Sequence, residues 1–342
     1  MTASDTRLHW EDFTAGETTE FGETVVTAED IIAFATEFDP APAHLGKAPD
    51  DTDFTAADWH SCAMLMRMMC DDYLMNAAGV GAPGVEHVRW FGSVWPGDVL
   101  RARRTPIETR VSKSRPEIGI VRMYQEVINQ EGQVVLTWLP VQLYQRRYPD
   151  AALPPPRSIP DLPGVRRDER QPPGISDDDP RRPVDTFEEI EVGRETELGS
   201  HVFSMDEMLS YARRFNPQYF HADEEAARKS LYGGLIASGW HTGAVWNRHV
   251  VTHRLDLAGE MLSDPVQRPA CASPSIDVTD MKWPAPVRPG DEIAFRTRIT
   301  GKSESRAHPA WGLIETFDEG ANQRGETVFC LTHRYWIERA RA

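Results

Sequence analysis

The sequence predicts an α+β fold built twice over, each half wrapping an antiparallel sheet around one long helix. Three observations carry this. At 342 residues the chain is too long for one ordinary core and suits two units of about 150 residues each. The chain also repeats itself: GETTEFGETVVTAEDIIAFATEFDPAPAH, ending at His44, aligns without a gap with GRETELGSHVFSMDEMLSYARRFNPQYFH, ending at His221. Within each half, a capped helix and a long apolar helix precede segments that alternate in period two, the order of an α+β unit.

The elements follow in chain order. Thr27-Ala-Glu-Asp30 and Ser204-Met-Asp-Glu207 each read as an N-cap followed by acidic first-turn residues, so a helix starts at each. A His-bearing loop comes next, then the apolar helices AADWHSCAMLMRMMCDDYLM and IASGWHTGAVWNRHVVTHRL. VLRARRTPIETRV, IVRMYQEVIN and QVVLTWLPVQLYQRR alternate roughly in period two between Pro-Gly-Asp and Glu-Gly turns and read as antiparallel strands. RWFGSVWPGDVLRARR (from Arg89) matches KWPAPVRPGDEIAFRT (from Lys282), and INQEGQVV matches ANQRGETV at the same offset. The stretch from Tyr148 to Pro183 is dense in Pro, Gly and charge; it reads as an extended surface linker. The predicted domains are 1–148 and 185–342, joined by a linker over 149–184.

Composition narrows the function. A formal charge of −16 argues against nucleic acid and an anionic membrane surface as partners. Cys62, Cys70, Cys271 and Cys330 lack metal-ligand spacing and read as buried thiols of a reducing cytosol. The first residues carry neither a basic segment nor an apolar one, and no apolar run approaches a membrane span, so a cytoplasmic protein is expected.

The D/N-P…H loop, the HADEEAA segment, the SGWHT helix start and the RPGD turn resemble the MaoC-like, (R)-specific enoyl-CoA hydratase group, and the chain looks like a double-hotdog member of it. The resemblance covers nearly everything but the linker. It implies a lyase that adds water to a trans-2-enoyl-CoA in fatty-acid metabolism, with no cofactor beyond the CoA of the substrate. It also implies an internal pseudo-dimer, with a homodimer of the whole chain left open. In that family an Asp and a His five residues later share one loop, and a backbone N–H at the start of the long helix holds the developing enolate.

Each half departs from the pattern in its own way. The first has Asp39 and His44 at the family spacing, but Asp58 stands at the helix start, where a negative charge opposes an enolate. The second keeps Gly239 and Trp240 at the helix start and His221 in the loop, but Asn216 occupies the Asp position, and an amide is not a base. On these grounds the Asp39/His44 pair is the favoured acid–base site, with His221 and Asn216 as the second candidate. His60 and His241 read as core histidines. The run Met64, Met66, Met68 and Met69 reads as core that could also line an acyl tunnel, and Arg115 as a contact for a CoA phosphate. Two other functions fit: a thioesterase using Asp58, and a non-catalytic acyl-CoA binder.

Overall fold

The structure is a computed structural model that describes residues 6–46, 54–159, 170–173, 181–262, 266–270 and 272–340; Cys271 lies outside them. The first half runs β1 (Thr19–Val25), α1 (Ala28–Phe38), α2 (Pro42–Leu45), α3 (Asp58–Asp72), β2 (Gly79–Trp90), β3 (Val99–Val111), β4 (Ile118–Ile128) and β5 (Val134–Gln145). Two short linker strands follow, β6 (Arg157–Ser158) and β7 (Arg182–Val184). The second half repeats the plan: β8 (Glu195–Val202), α4 (Met205–Phe215), α5 (Tyr219–Ala222), α6 (Glu224–Ala227) and α7 (Gly239–Leu262). It ends with β9 (Gln267–Pro269), β10 (Ala272–Lys282), β11 (Glu292–Glu304), β12 (Trp311–Asn322) and β13 (Thr327–Glu338).

Local chemistry explains why the two halves fold alike. The Thr27 hydroxyl accepts from the Asp30 N–H at 3.1 Å, and the Ser204 hydroxyl from the Glu207 N–H at 3.3 Å, so both caps form as predicted. At the turn before β3, Asp98 accepts from the Trp95 N–H and from Gln130, each at 2.8 Å. Asp291 makes the equivalent bonds to Arg288 and Gln323, also at 2.8 Å. The Pro-Gly-Asp and Asn-Gln repeats are thus two sides of one lock between neighbouring strand ends.

All the strands but β7 and β9 form one antiparallel sheet in the order β1-β3-β4-β5-β2-β10-β13-β12-β11-β8, with β6 added beside β3. The halves join where β2 pairs with β10, Val88 lying opposite Val278. This seam makes the chain an internal pseudo-dimer. α3 and α7 meet inside the wrap, where Trp59 packs edge-on against Trp246 at 5.6 Å and lies 6.0 Å from Trp240. One apolar cluster therefore runs through both halves, in place of the two separate cores that length alone suggests. Cys62 and Cys70 are buried free thiols within it, and Cys330 is free and half-buried. No helix among the described residues is long and apolar enough to cross a membrane.

The described parts of the linker are tied to both halves. β6 pairs with β3, β7 runs parallel to β9, and Arg170 reaches into the first half.

Candidate active site

The two His-bearing loops are built alike. Asp39 and Asn216 each end a helix with nearly the same backbone angles (φ −154°, ψ 72° and φ −146°, ψ 70°), and each N–H donates 2.8 Å back to an Ala carbonyl. Five residues on, the Nδ1 atoms of His44 and His221 meet the carbonyls of Thr55 and Ile236 at 2.7 Å and 2.9 Å. A carbonyl only accepts, so Nδ1 carries the proton and Nε2 presents a lone pair. In both halves a Trp then braces the start of the long helix: the Trp90 indole donates to the Asp58 carbonyl and the Trp283 indole to the Gly239 carbonyl, each at 3.0 Å.

The surroundings differ. A cavity of about 320 Å³ opens onto the second-half loop and is lined by Asn216, Gln218, His221, Ser238, Gly239 and Trp240. Its opposite wall belongs to the first half, with Met66 and Met69 of α3, Val85 of β2, and Trp138, Pro140 and Gln142 of β5. Trp138 stacks on Trp240 at 4.3 Å within this lining. Asp39, His44 and Asp58 are not among the lining residues. The predicted site residues therefore divide: Asn216, His221, Gly239 and Trp240 share a cavity, whereas Asp39, His44 and Asp58 lie elsewhere.

Inside the cavity Asn216 is locked. Its Nδ2 donates to the Ser238 hydroxyl at 2.9 Å, and its Oδ1 accepts from Gln218 at 2.9 Å and from the Cys70 thiol at 3.5 Å. One N–H of the amide is left over for a ligand oxygen. His221 is buried, and desolvation pulls its pKa down to about 4 although the Ile236 carbonyl works in the opposite direction. It is thus a neutral base at pH 7, and its Nε2 has no partner among the described residues. Gly239 opens α7, where helix N–H groups lack intrahelical acceptors. Only glycine fits there, because a Cβ would fall well under 3.0 Å from the Trp283 indole.

In the first half the linker occupies the helix start. Arg170 of the linker donates to Asp58 Oδ1 at 2.7 Å and to the Ser275 carbonyl at 3.3 Å, while the Ser275 N–H donates to Asp58 Oδ2 at 3.2 Å. The Arg170 carbonyl in turn accepts from the Trp336 indole at 3.0 Å. Asp58 is therefore half of a bridge between linker and β10. Asp39 faces the second half, its Oδ2 accepting from Asn247 of α7 at 2.9 Å and its buried Oδ1 unpartnered among the described residues. Burial raises its pKa, with His44 and Asn247 pulling the other way. Replacing Arg170 by Ala leaves the Asp58 carboxylate largely buried with one donor fewer. A loss of about 1–3 kcal/mol in urea unfolding is expected.

His60 and His241 are core residues, stacked on Phe34 at 4.6 Å and on Tyr211 at 4.5 Å. Burial pulls both down to about 3. A His held neutral on folding contributes stability above its unfolded pKa near 6.5 and loses it as pH falls through the folded value. With His221 behaving likewise down to about 4, stability should fall from about pH 6.5 to about pH 3, read as a declining urea midpoint.

Arg115 lies beside the cavity in an adjoining recess of about 340 Å³ that shares Gly79 and Tyr232 with it. Its guanidinium is about half exposed and bonds Glu117 at 3.0 Å; Lys229 and Tyr219 line the same recess. Sequence reasoning missed Gln218, Ser238 and the Ile236 carbonyl, which position Asn216 and His221. It also missed the wall supplied by β5. Trp283 was within reach, because the repeat that aligns Arg89 with Lys282 also aligns Trp90 with Trp283.

One long helix per half, wrapped by a sheet that continues across the seam, with a His-bearing loop beside the helix start, defines a double-hotdog protein. The description "MaoC like domain" matches residues 180–310. A MaoC domain protein dehydratase from Chloroflexus aurantiacus superposes over 100% of both chains with a TM-score of 0.78 and 16% identity. A conserved hypothetical protein of Mycobacterium tuberculosis with a double hotdog fold covers 98% of this chain and 99% of its own, at TM-score 0.65 and 15% identity. A MaoC-like dehydratase from Rhodospirillum rubrum is 30% identical over 46% of this chain and 99% of its own, at TM-score 0.36. The second half therefore carries a MaoC-like dehydratase domain, and the chain as a whole has the double-hotdog fold.

Proposed function

We propose that the chain is a hydro-lyase that adds water to, or removes it from, a trans-2-enoyl thioester, and that the reaction runs in the second-half cavity. The observation that carries this is His221: a neutral, oriented imidazole whose Nε2 has no partner among the described residues, in a cavity edged by the Gly239 helix start. In the hydration direction His221 Nε2 takes a proton from water as the water oxygen bonds to C3. The C2=C3 π pair moves toward the thioester, and the resulting enolate oxygen meets the Gly239 N–H at the positive end of α7. Protonated His221 then delivers its proton to C2, so one water is added and the base is regenerated. Asn216 cannot take the proton; its remaining N–H orients the water, and Gln218 and Ser238 hold the amide in register. CoA enters as part of the substrate, with Arg115 and Lys229 placed to meet its phosphates at the mouth.

The tied-down amide of Asn216 also favours a second reading, a non-catalytic acyl-thioester binder. A hydration assay with crotonyl-CoA and longer trans-2-enoyl-CoAs separates the two. Loss of enoyl-thioester absorbance supports the lyase. Binding of acyl-CoA with no hydration of any of them overturns it.

A further inference from the structure

The cavity wall changes character along β5. Trp138 and Pro140 are apolar, but the next two side chains on the same face are Gln142 and Tyr144, and both line the cavity. Behind them a buried polar cluster gathers from three elements. The Tyr144 hydroxyl donates to Gln142 Oε1 at 2.9 Å. The Nε2 atoms of Gln142 and of Gln125 from β4 both reach the hydroxyl of Tyr73, which follows α3, at a long 3.4 Å. Gln125 has no exposed surface, and its Oε1 is unpartnered among the described residues.

A cavity meant only for an alkyl chain gains nothing from this, because buried amides and phenols that are not well bonded cost stability. Leu or Met would fill the same places. The long contacts leave the second Gln142 N–H and the Tyr144 oxygen able to bond a ligand in the cavity, with the unused Gln125 acceptor behind them. Arg104 lies over the Tyr73 ring face at 4.1 Å and is already paired with Asp72 at 3.2 Å. The cluster therefore offers neutral donors and acceptors, suited to an uncharged polar group.

Resting on the lyase reading above, we propose that Gln142 and Tyr144 determine specificity by recognising an uncharged hydrogen-bonding group, a hydroxyl or a ketone, on the acyl chain. The substrate class is then a short enoyl thioester with a polar tail.

The test compares trans-2-hexenoyl-CoA with 6-hydroxy-trans-2-hexenoyl-CoA and 5-oxo-trans-2-hexenoyl-CoA, on wild type, Gln142→Leu and Tyr144→Phe. Wild type should favour one of the polar-tailed substrates by about tenfold or more in kcat/KM, and the ratio should fall toward one in Gln142→Leu. A wild-type preference for the plain chain, or a ratio unmoved in both variants, overturns the proposal and leaves the lyase reading standing. If no enoyl thioester is hydrated, the lyase reading fails by itself. Calorimetric binding of hexanoyl-CoA against 6-hydroxyhexanoyl-CoA and 5-oxohexanoyl-CoA then decides the question, equal affinities overturning it. Tyr144→Phe removes one oxygen atom and serves if Gln142→Leu does not fold.

Discussion

Replacing His221 by Ala should lower hydration of crotonyl-CoA by about a hundredfold to ten-thousandfold, the usual cost of losing a general acid–base. Among the described lining residues the imidazole is the group able to cycle a proton at neutral pH, since Asn216 and Gln218 are amides and burial raises the phenols of Tyr144 and Tyr232. The same assay on Asp39→Asn should give kcat/KM close to wild type. Asp39 accepts from Asn247 and does not line the cavity, so an amide there disturbs the seam between halves and not the reacting atoms. A large loss in Asp39→Asn with His221→Ala active would move the chemistry to the first half.

Gly239→Ala should cost about a hundredfold in kcat while the fold survives, a size typical of losing one backbone donor to an oxyanion. The added methyl would overlap the Trp283 ring, which is itself anchored to the Gly239 carbonyl at 3.0 Å. Either Trp283 swings into the cavity or the first turn of α7 moves, and both displace the N–H proposed to meet the enolate. Thermal unfolding near the wild-type midpoint together with a collapsed kcat would identify a local effect. Unchanged kcat would remove Gly239 from the mechanism.

Much of the fold is legible in the residues because it depends on short-range chemistry. Thr27 and Ser204 cap helices through bonds three residues long, and Asp98 and Asp291 tie the turns they sit in. The repeat then doubles each inference, and the match between RWFGSVWPGD and KWPAPVRPGD places Trp90 and Trp283 in equivalent roles. The site was only half legible. The spacing from Asp39 to His44 satisfies the family pattern as well as any loop can, yet spacing says nothing of what stands opposite.

The sequence by itself determined that the chain holds two copies of one unit, where their helices start, and which residues occupy the two His-bearing loops. Only the tertiary structure decided which loop faces an open cavity. The partners responsible are remote in the chain: Arg170 lies 112 residues from Asp58, and Ser275 lies 217 away. A linker arginine carries no local signature of the carboxylate it will meet. Likewise Gln142 becomes a lining residue of the second-half cavity only because β2 pairs with β10 and brings the two halves face to face. Caps and turns are written in neighbouring residues, whereas a cavity is made by whichever surfaces the packed chain leaves apart.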